Sequence, residues 1–230
     1  MTSHEPVEPL ARCQPGLRAI FGTAEPVALL PAAGDISLEL VLRTAILHRA
    51  AVLVHGQRGE RLARVAESLD REVVRIVTAP DLPVDPAQVD RFLDGPAIDA
   101  LLVELGVDPD QPPFPLDAIG RMVRRRRGIL LVAEASATIG IAPMEMDRWG
   151  VDCVLASSDG VLGLPGGVSL VAASGQLLRR SGQLAGRGTL LDLKTHCAAA
   201  KEGRVAAPVA PAVLQALEQR LGGLVSSPRP

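Results

Sequence analysis

An α/β fold with a mainly parallel sheet flanked by helices is predicted by three features of the 230-residue sequence. Short apolar runs alternate with helical patterns from residue 36 to about residue 172, which is the sign of βαβ units. Each run is four or five residues of nearly continuous apolar character, as strands covered by helices on both faces require. Composition agrees, since 47% hydrophobic and 22% charged residues match a globular chain and exclude a disordered or fibrous one. The length suits one dominant core.

The predicted strands are residues 51–54, 73–77, 100–103, 129–133, 153–156 and 168–172. The helix predicted over 36–47 carries Ile36, Leu40, Ile46 and Leu47 on a largely apolar surface. The one over 58–69 has Leu62, Val65, Ala66 and Leu69 at helical spacing with charges opposite, which marks an amphipathic crossover. Residues 116–127 repeat the pattern with Leu116, Ile119, Gly120 and Val123 and end in the run Arg124 to Arg127, read as a solvated helix end. Residues 80–86 and 108–115 are dense in Pro and Asp and read as loops. A last helix is expected over 209–221, after Pro208. This divides the chain into an N-terminal arm (1–30), one large domain (31–224) and a frayed tail (225–230).

Several function classes are excluded. A net charge of −2, a pI near 6.1 and 2% aromatics offer neither a field nor stacking surfaces for nucleic acid. Cys13, Cys153 and Cys197 are an odd, widely spaced set without C-x-x-C, so neither a disulfide scaffold nor a structural zinc site is expected. His4, His48, His55 and His196 lack ligand spacing, and no metal is expected. No apolar run reaches the roughly 18–20 residues that span a bilayer, and the start MTSHEPVEPL is unlike a signal peptide. The expected compartment is the cytoplasm, without membrane attachment. The hydrolase elbow, the P-loop and the dinucleotide fingerprint have no match.

Four blocks, in order, carry a resemblance to a known family. They are His55-Gly-Gln-Arg-Gly-Glu-Arg61; the stretch from Leu116 to Val132 followed by Glu134-Ala-Ser-Ala-Thr-Ile-Gly140; Pro143 to Asp152; and Ala156-Ser-Ser-Asp-Gly-Val-Leu-Gly-Leu-Pro-Gly166. Together they resemble the large domain of class V aminotransferases of the pyridoxal phosphate (PLP) fold type I, nearest to the 2-aminoethylphosphonate:pyruvate and serine or alanine:glyoxylate group. Downstream, Leu191-Asp-Leu and the stretch from Lys201 to Pro208 are similar to further family blocks. The resemblance implies a PLP-dependent transferase-like large domain without the C-terminal small domain.

It also implies where PLP chemistry would need its parts. An imine with the cofactor requires a primary amine. Asp159 stands at the position of the family's lysine, and the sequence holds only two lysines, Lys194 and Lys201, against 22 arginines. Glu134 stands where the family has the Asp that holds the pyridinium nitrogen. The phosphate-binding turn matches Ala32-Ala33-Gly34-Asp35, where a carboxylate opposes an anion. The family's threonine before proline falls at Ala207, and a hydroxyl-rich stretch is reduced to Glu104-Leu-Gly-Val. The chain is therefore read as degenerate, with Glu134, His55, Gly34 and Asp35 as vestigial cofactor-side positions. No cofactor is expected unless a partner supplies a lysine.

Each residue also has a plain structural reading. Asp35 reads as an N-cap for the helix that follows, Asp159 with Ser157 and Ser158 as a turn cap, and Glu134 as a relic or a solvated acid. His55 is the histidine expected to face a ligand. Two functions follow: a non-catalytic structural or regulatory subunit, or an enzyme, either with lysine-free chemistry on Glu134, Asp159 and His55 or with its PLP lysine supplied by a partner chain. A homodimer, or a heteromer with an active aminotransferase-like protein, is expected, because the apolar stretches 190–193 and 205–217 would otherwise lack cover.

Overall fold

The computed structural model describes residues 9–95, 97–107, 113–184 and 191–226. In chain order the elements are α1 (Pro9–Phe21), β1 (Val27–Leu30), α2 (Asp35–Ala45), β2 (Arg49–His55), α3 (Gly56–Glu67), β3 (Glu72–Thr78), α4 (Pro86–Leu93), β4 (Ala100–Glu104), α5 (Leu116–Arg124), β5 (Leu130–Glu134), α6 (Met146–Trp149), β6 (Cys153–Ser157), β7 (Ser169–Ala173), α7 (Gly175–Ser181), α8 (Leu193–Lys201) and α9 (Pro211–Ser226). One seven-stranded sheet has the order β1-β7-β6-β5-β4-β2-β3. The pairs β2–β3, β2–β4, β4–β5 and β5–β6 are parallel. Only β7 runs against its neighbours β6 and β1. Every residue of β1, β5 and β7 is buried, as expected for strands with helices on both faces.

All six predicted strands form at their places, within two residues at either end. The region before residue 31 is more than an arm. Leu10, Leu17, Ile20 and Phe21 of α1 are buried, and β1 pairs with β7 in the sheet. The helix α1 lies on α9, where Gly16 meets the Leu221 side chain and Arg12 pairs with Glu218 at 2.9 Å. The cover expected from a partner over 205–217 thus comes from the same chain: Val213, Leu217 and Leu221 are buried. Leu190 lies outside the described residues, and of the rest of that stretch Leu191 is exposed and Leu193 buried.

Local chemistry explains other departures. The predicted loop 80–86 ends in a helix start, because Asp85 accepts the Ala87 N–H at 2.9 Å and Pro86 sits at the first helical position. The other predicted loop lies partly outside the described residues, as does the tail. Arg126 is no solvated helix end. It binds Asp90 at 2.8 Å, Asp94 and the Met122 carbonyl, tying α5 to α4.

At the amino ends of the parallel strands, backbone groups that the ladder leaves open are taken up by side chains. Asp99 accepts the Arg49 N–H at 2.9 Å and Asp152 accepts the Leu131 N–H at 3.0 Å. Arg180 of α7 donates to the Ala45 and Asp99 carbonyls at 2.8 and 2.7 Å. On the edge strand β3, Arg75 is held between Glu60 and Glu67 of α3 at 2.7 and 2.8 Å. No helix among the described residues is long and apolar enough to cross a membrane.

Gly120 lets α5 approach α6, since an added Cβ would lie 1.9 Å from the Trp149 carbonyl oxygen. Gly120→Ala is expected to cost about 1–3 kcal/mol or more, as overpacking against rigid backbone does. Chemical denaturation of the variant beside the unaltered chain measures it, and an unchanged midpoint would contradict this packing.

Candidate functional site

Parallel strands deliver their carboxyl ends to one rim, where open α/β sheets place ligands. Here β2 ends at His55, β4 at Glu104, β5 at Glu134 and β6 at Ser157. Register sets neighbours: Glu104 stands beside Glu134, and His55 beside Thr78. A cleft of about 470 Å³ opens there, lined by Gly34, Arg58, Arg61, Glu104, Glu134 and Asp159 among others. That volume falls within the roughly 300–1,000 Å³ of small-molecule sites. A second cleft of about 550 Å³ shares Arg58 and Glu104 and is walled on the far side by His55, Pro83 and Phe114. Gly34, Glu134 and Asp159 therefore share one cleft, while His55 faces the other.

Glu134 is 4% exposed. Its Oε1 accepts the Ser136 N–H at 3.3 Å and the Ser136 hydroxyl, and Ser136 Oγ in turn accepts the Ser157 N–H at 2.7 Å. Burial pushes its carboxyl above the usual range, with the Ser136 bonds and the charges of Arg61 and Arg58 pulling the other way. Glu104 is less well held. Its side chain is 5% exposed, Oε1 meets Arg61 Nη1 at 3.4 Å, and Oε2 is buried with no hydrogen-bond partner. Burial first, and the Glu134 charge second, push its carboxyl up to about 7 against Arg61 and Arg58.

Arg61 is mainly committed to Asp35, at 2.9 Å from Nε and 2.8 Å from Nη2 to the same Oδ1. This corrects the reading of Asp35 as an N-cap. The cap position is Gly34, with φ 60, and it makes no side-chain cap bond; Asp35 is the first helical residue and turns its carboxylate to α3. Glycine suits a positive φ there without Cβ strain. The reading of Asp159 as a turn cap changes too. Its Oδ1 accepts the Ser157 hydroxyl at 2.6 Å, and the Gly160 N–H bonds to the Ser157 carbonyl. His55 Nδ1 lies 2.9 Å from Thr78 Oγ1, so β2 and β3 fix its ring. Glu134 is a buried acid, not a solvated one.

Arg58, Arg61 and Glu104 stand in stretches that carry the resemblance, yet the sequence alone gives none of them a role in the site. Two signals were present. Arg58 and Arg61 are three residues apart and share a face of α3, and Glu104 ends an apolar strand run in the same way as Glu134 does. Arg58 makes no ion pair or hydrogen bond among the described residues, and it lines both clefts. Neither lysine lines these clefts; both lie exposed on α8. Three or more His, Cys, Asp or Glu side chains placed to hold a metal ion do not occur among the described residues.

Two outcomes follow from this geometry. A carboxyl held above its unfolded value keeps a proton that the unfolded chain has released, so stability falls as pH rises through that interval. For Glu104 the interval runs from 4.5 to about 7. Thermal melts across it should show a decline that Glu104→Gln flattens; parallel profiles for the two proteins would contradict the assignment. Asp35→Ala removes an exposed ion pair and no cap, so it is expected to cost less than about 1 kcal/mol, where loss of a capping side chain costs typically about 1. Urea denaturation distinguishes the two when Asp35→Ala is compared with Asp85→Ala.

Comparison with known proteins agrees with this architecture. Residues 113–203 match the family model "Aminotransferase class-V". The chain is 29% identical over 162 residues to the alanine–glyoxylate aminotransferase of Callithrix jacchus, covering 69% of this chain and 39% of that protein. It is 27% identical over 175 residues to the 2-aminoethylphosphonate–pyruvate transaminase of Pseudomonas aeruginosa, covering 74% and 47%. This chain thus spans less than half the length of these relatives. Among solved structures, ureidoglycine–glyoxylate aminotransferase from Bacillus subtilis superposes with a TM-score of 0.84 at 20% identity, over 94% of this chain and 57% of that one. Alanine–glyoxylate aminotransferase from Nostoc sp. gives 0.81 at 22% identity, over 95% and 61%. The fold is that of the large domain of PLP-dependent aminotransferases.

Proposed function

We propose that this class V aminotransferase-like chain is a degenerate member of the fold that performs no transamination by itself and acts as a structural or regulatory subunit in the cytoplasm. One observation carries the reading: the cleft at the carboxyl rim offers carboxylates and guanidinium groups but no amine. Imine formation needs a primary amine, and the position matched to the lysine is Asp159, bonded to Ser157. The side chains present do not fit covalently held PLP elsewhere either. The turn at Gly34 leads into the Asp35 carboxylate, which would repel a phosphate, and Ala207 has no hydroxyl to offer one. The partner is a second copy or an active aminotransferase-like protein. Exposed apolar side chains at Ile36 (63%) and Val77 (63%) are consistent with one.

A second reading is favoured by Glu104, whose carboxyl near 7 suits proton transfer at neutral pH. In that case Glu104 and Glu134 would do acid–base work without a lysine, with Asp159 and His55 beside them.

The purified chain incubated with PLP and then borohydride is expected to keep no fixed adduct, and to turn over no amino donor with pyruvate or glyoxylate. Asp159→Lys alone should leave both results unchanged, since Asp35 and Ala207 remain. Steady transamination by the unaltered chain would refute the reading. Light scattering should give a mass above 24.1 kDa, alone or with a partner added from host extract; a monomer in both would remove the subunit role.

A further inference from the structure

We propose that the open edge of the sheet is an interface for a second copy of this chain, with β3 of each copy pairing antiparallel across a two-fold axis to make one continuous sheet. This interface rests on the subunit reading above. It runs along the lateral edge of the sheet, not across its carboxyl rim.

Strand β3 is last in the strand order and has a neighbour on one side only, β2. Natural proteins blunt such edges with short strands, proline, bulges or free charge. Here β3 spans seven residues where β4, β5, β6 and β7 span five, holds no Pro or Gly, and matches β2 residue for residue from Glu72 to Thr78. Its charges are neutralised within the chain, Glu72 by Arg49 at 2.6 Å and Arg75 by Glu60 and Glu67. Val77 stays 63% exposed beside a groove of about 860 Å³ that α3 and the edge form together.

The ladder decides which backbone groups are open. The Glu72 N–H bonds inward to the His48 carbonyl at 3.1 Å. A parallel neighbour engages every second residue, so Glu72, Val74, Ile76 and Thr78 face β2 while Val73, Arg75 and Val77 turn their N–H and C=O outward. Gln88 Nε2 reaches the outward Val77 carbonyl at 3.4 Å, a long contact that a paired strand would replace.

The occupant follows from the strand itself. Val73-Val74-Arg75-Ile76-Val77 reads nearly the same in both directions about Arg75, the self-complementarity that a two-fold interface requires. With Arg75 on the axis, an antiparallel copy sets Val73 against Val77 in hydrogen-bonded pairs and Val74 against Ile76 between them. Each pair is β-branched against β-branched, which favours pairing. The two Arg75 side chains meet already neutralised by the glutamates of their own α3. Beyond the strand, the same register brings Arg71 within reach of Asp81 of the other copy, twice by symmetry. Both are exposed. Among the described residues the Asp81 side chain makes no ion pair or hydrogen bond, and the Arg71 guanidinium meets only the Asp70 carbonyl at 3.3 Å. The opposite edge, β1, is four residues long and wholly buried, so pairing closes at two copies.

Sedimentation equilibrium and hydrogen exchange of the full chain test this. The chain alone is expected to show about twice its 24.1 kDa mass. Dilution to monomer should open the amides of Val73, Arg75 and Val77 to exchange, while those of Val74 and Ile76 stay protected at both concentrations. Val77→Lys, at an exposed position, should raise the dissociation constant at least tenfold. Val77→Pro, which removes an outward N–H and no ladder bond, should do the same, with circular dichroism confirming the fold. Arg71→Asp should weaken the dimer, and adding Asp81→Arg should restore it. Ile36→Lys, at an equally exposed apolar side chain on α2, should leave the mass unchanged. A monomeric unaltered chain, outward amides that ignore concentration, an intact dimer in both Val77 variants, or no recovery in the double variant would each overturn the proposal. A dimer that only Ile36→Lys breaks, or a larger mass only with host extract, overturns this interface and leaves the subunit reading standing; a monomer in every condition removes both.

Discussion

The lateral register of β4 against β5 is the constraint from which the rim of this molecule follows. Ala100 pairs with Leu130 and the match runs residue for residue to Glu104 beside Glu134. Four apolar pairs below make that register costly to shift, because a slip of one residue would turn each strand's side chains to the opposite face. Two carboxylates are therefore held side by side by packing beneath them. The surrounding polar contacts, Ser136 under Glu134 and Arg61 reaching Glu104 from α3, are adaptations to that proximity.

The sheet is organised from its other end as well. Asp99 and Asp152 accept strand N–H groups, and Arg180 closes carbonyls contributed by three different connections. These groups are partly buried and polar, and each meets backbone atoms that water would otherwise serve. Stability is thus concentrated at the amino ends of the strands and charge frustration at the carboxyl ends. An α/β domain can tolerate an uncomfortable site on one rim when the backbone groups of the opposite rim are tied down in this way.

Much of this architecture was legible in the sequence because the central strands are continuous apolar runs bounded by turns. Elements marked by neither periodicity nor length were not legible. Strand β1 is only Val27–Leu30, and its antiparallel place comes from pairing with β7, a contact 140 or so residues away that no local pattern encodes. Helix α1 carries Pro15 inside it, a residue that argues against a helix when read locally. At the site, the positions of Glu134, Asp159 and His55 followed from the resemblance of the blocks that carry them. The roles of Asp35 and Arg61 did not, since a first-turn aspartate looks like a cap until its tertiary partner is seen. The shared acidity of Glu104 and Glu134 needs the register, which sequence spacing alone cannot supply.

The packing of α1 on α9 has a consequence for how the chain reaches this state. Arg12 and Glu218 are 206 residues apart in sequence and touch in the fold. During synthesis α1 emerges well before α9 can cover it, and β1 before β7 can pair with it. Until then the buried face of α1, with Leu10, Leu17 and Phe21, lacks its full native surroundings. Contacts of such long sequence separation raise contact order and slow folding. The α1–α9 contact is thus a seam between the two ends of the described chain, and it can close only once both have been made.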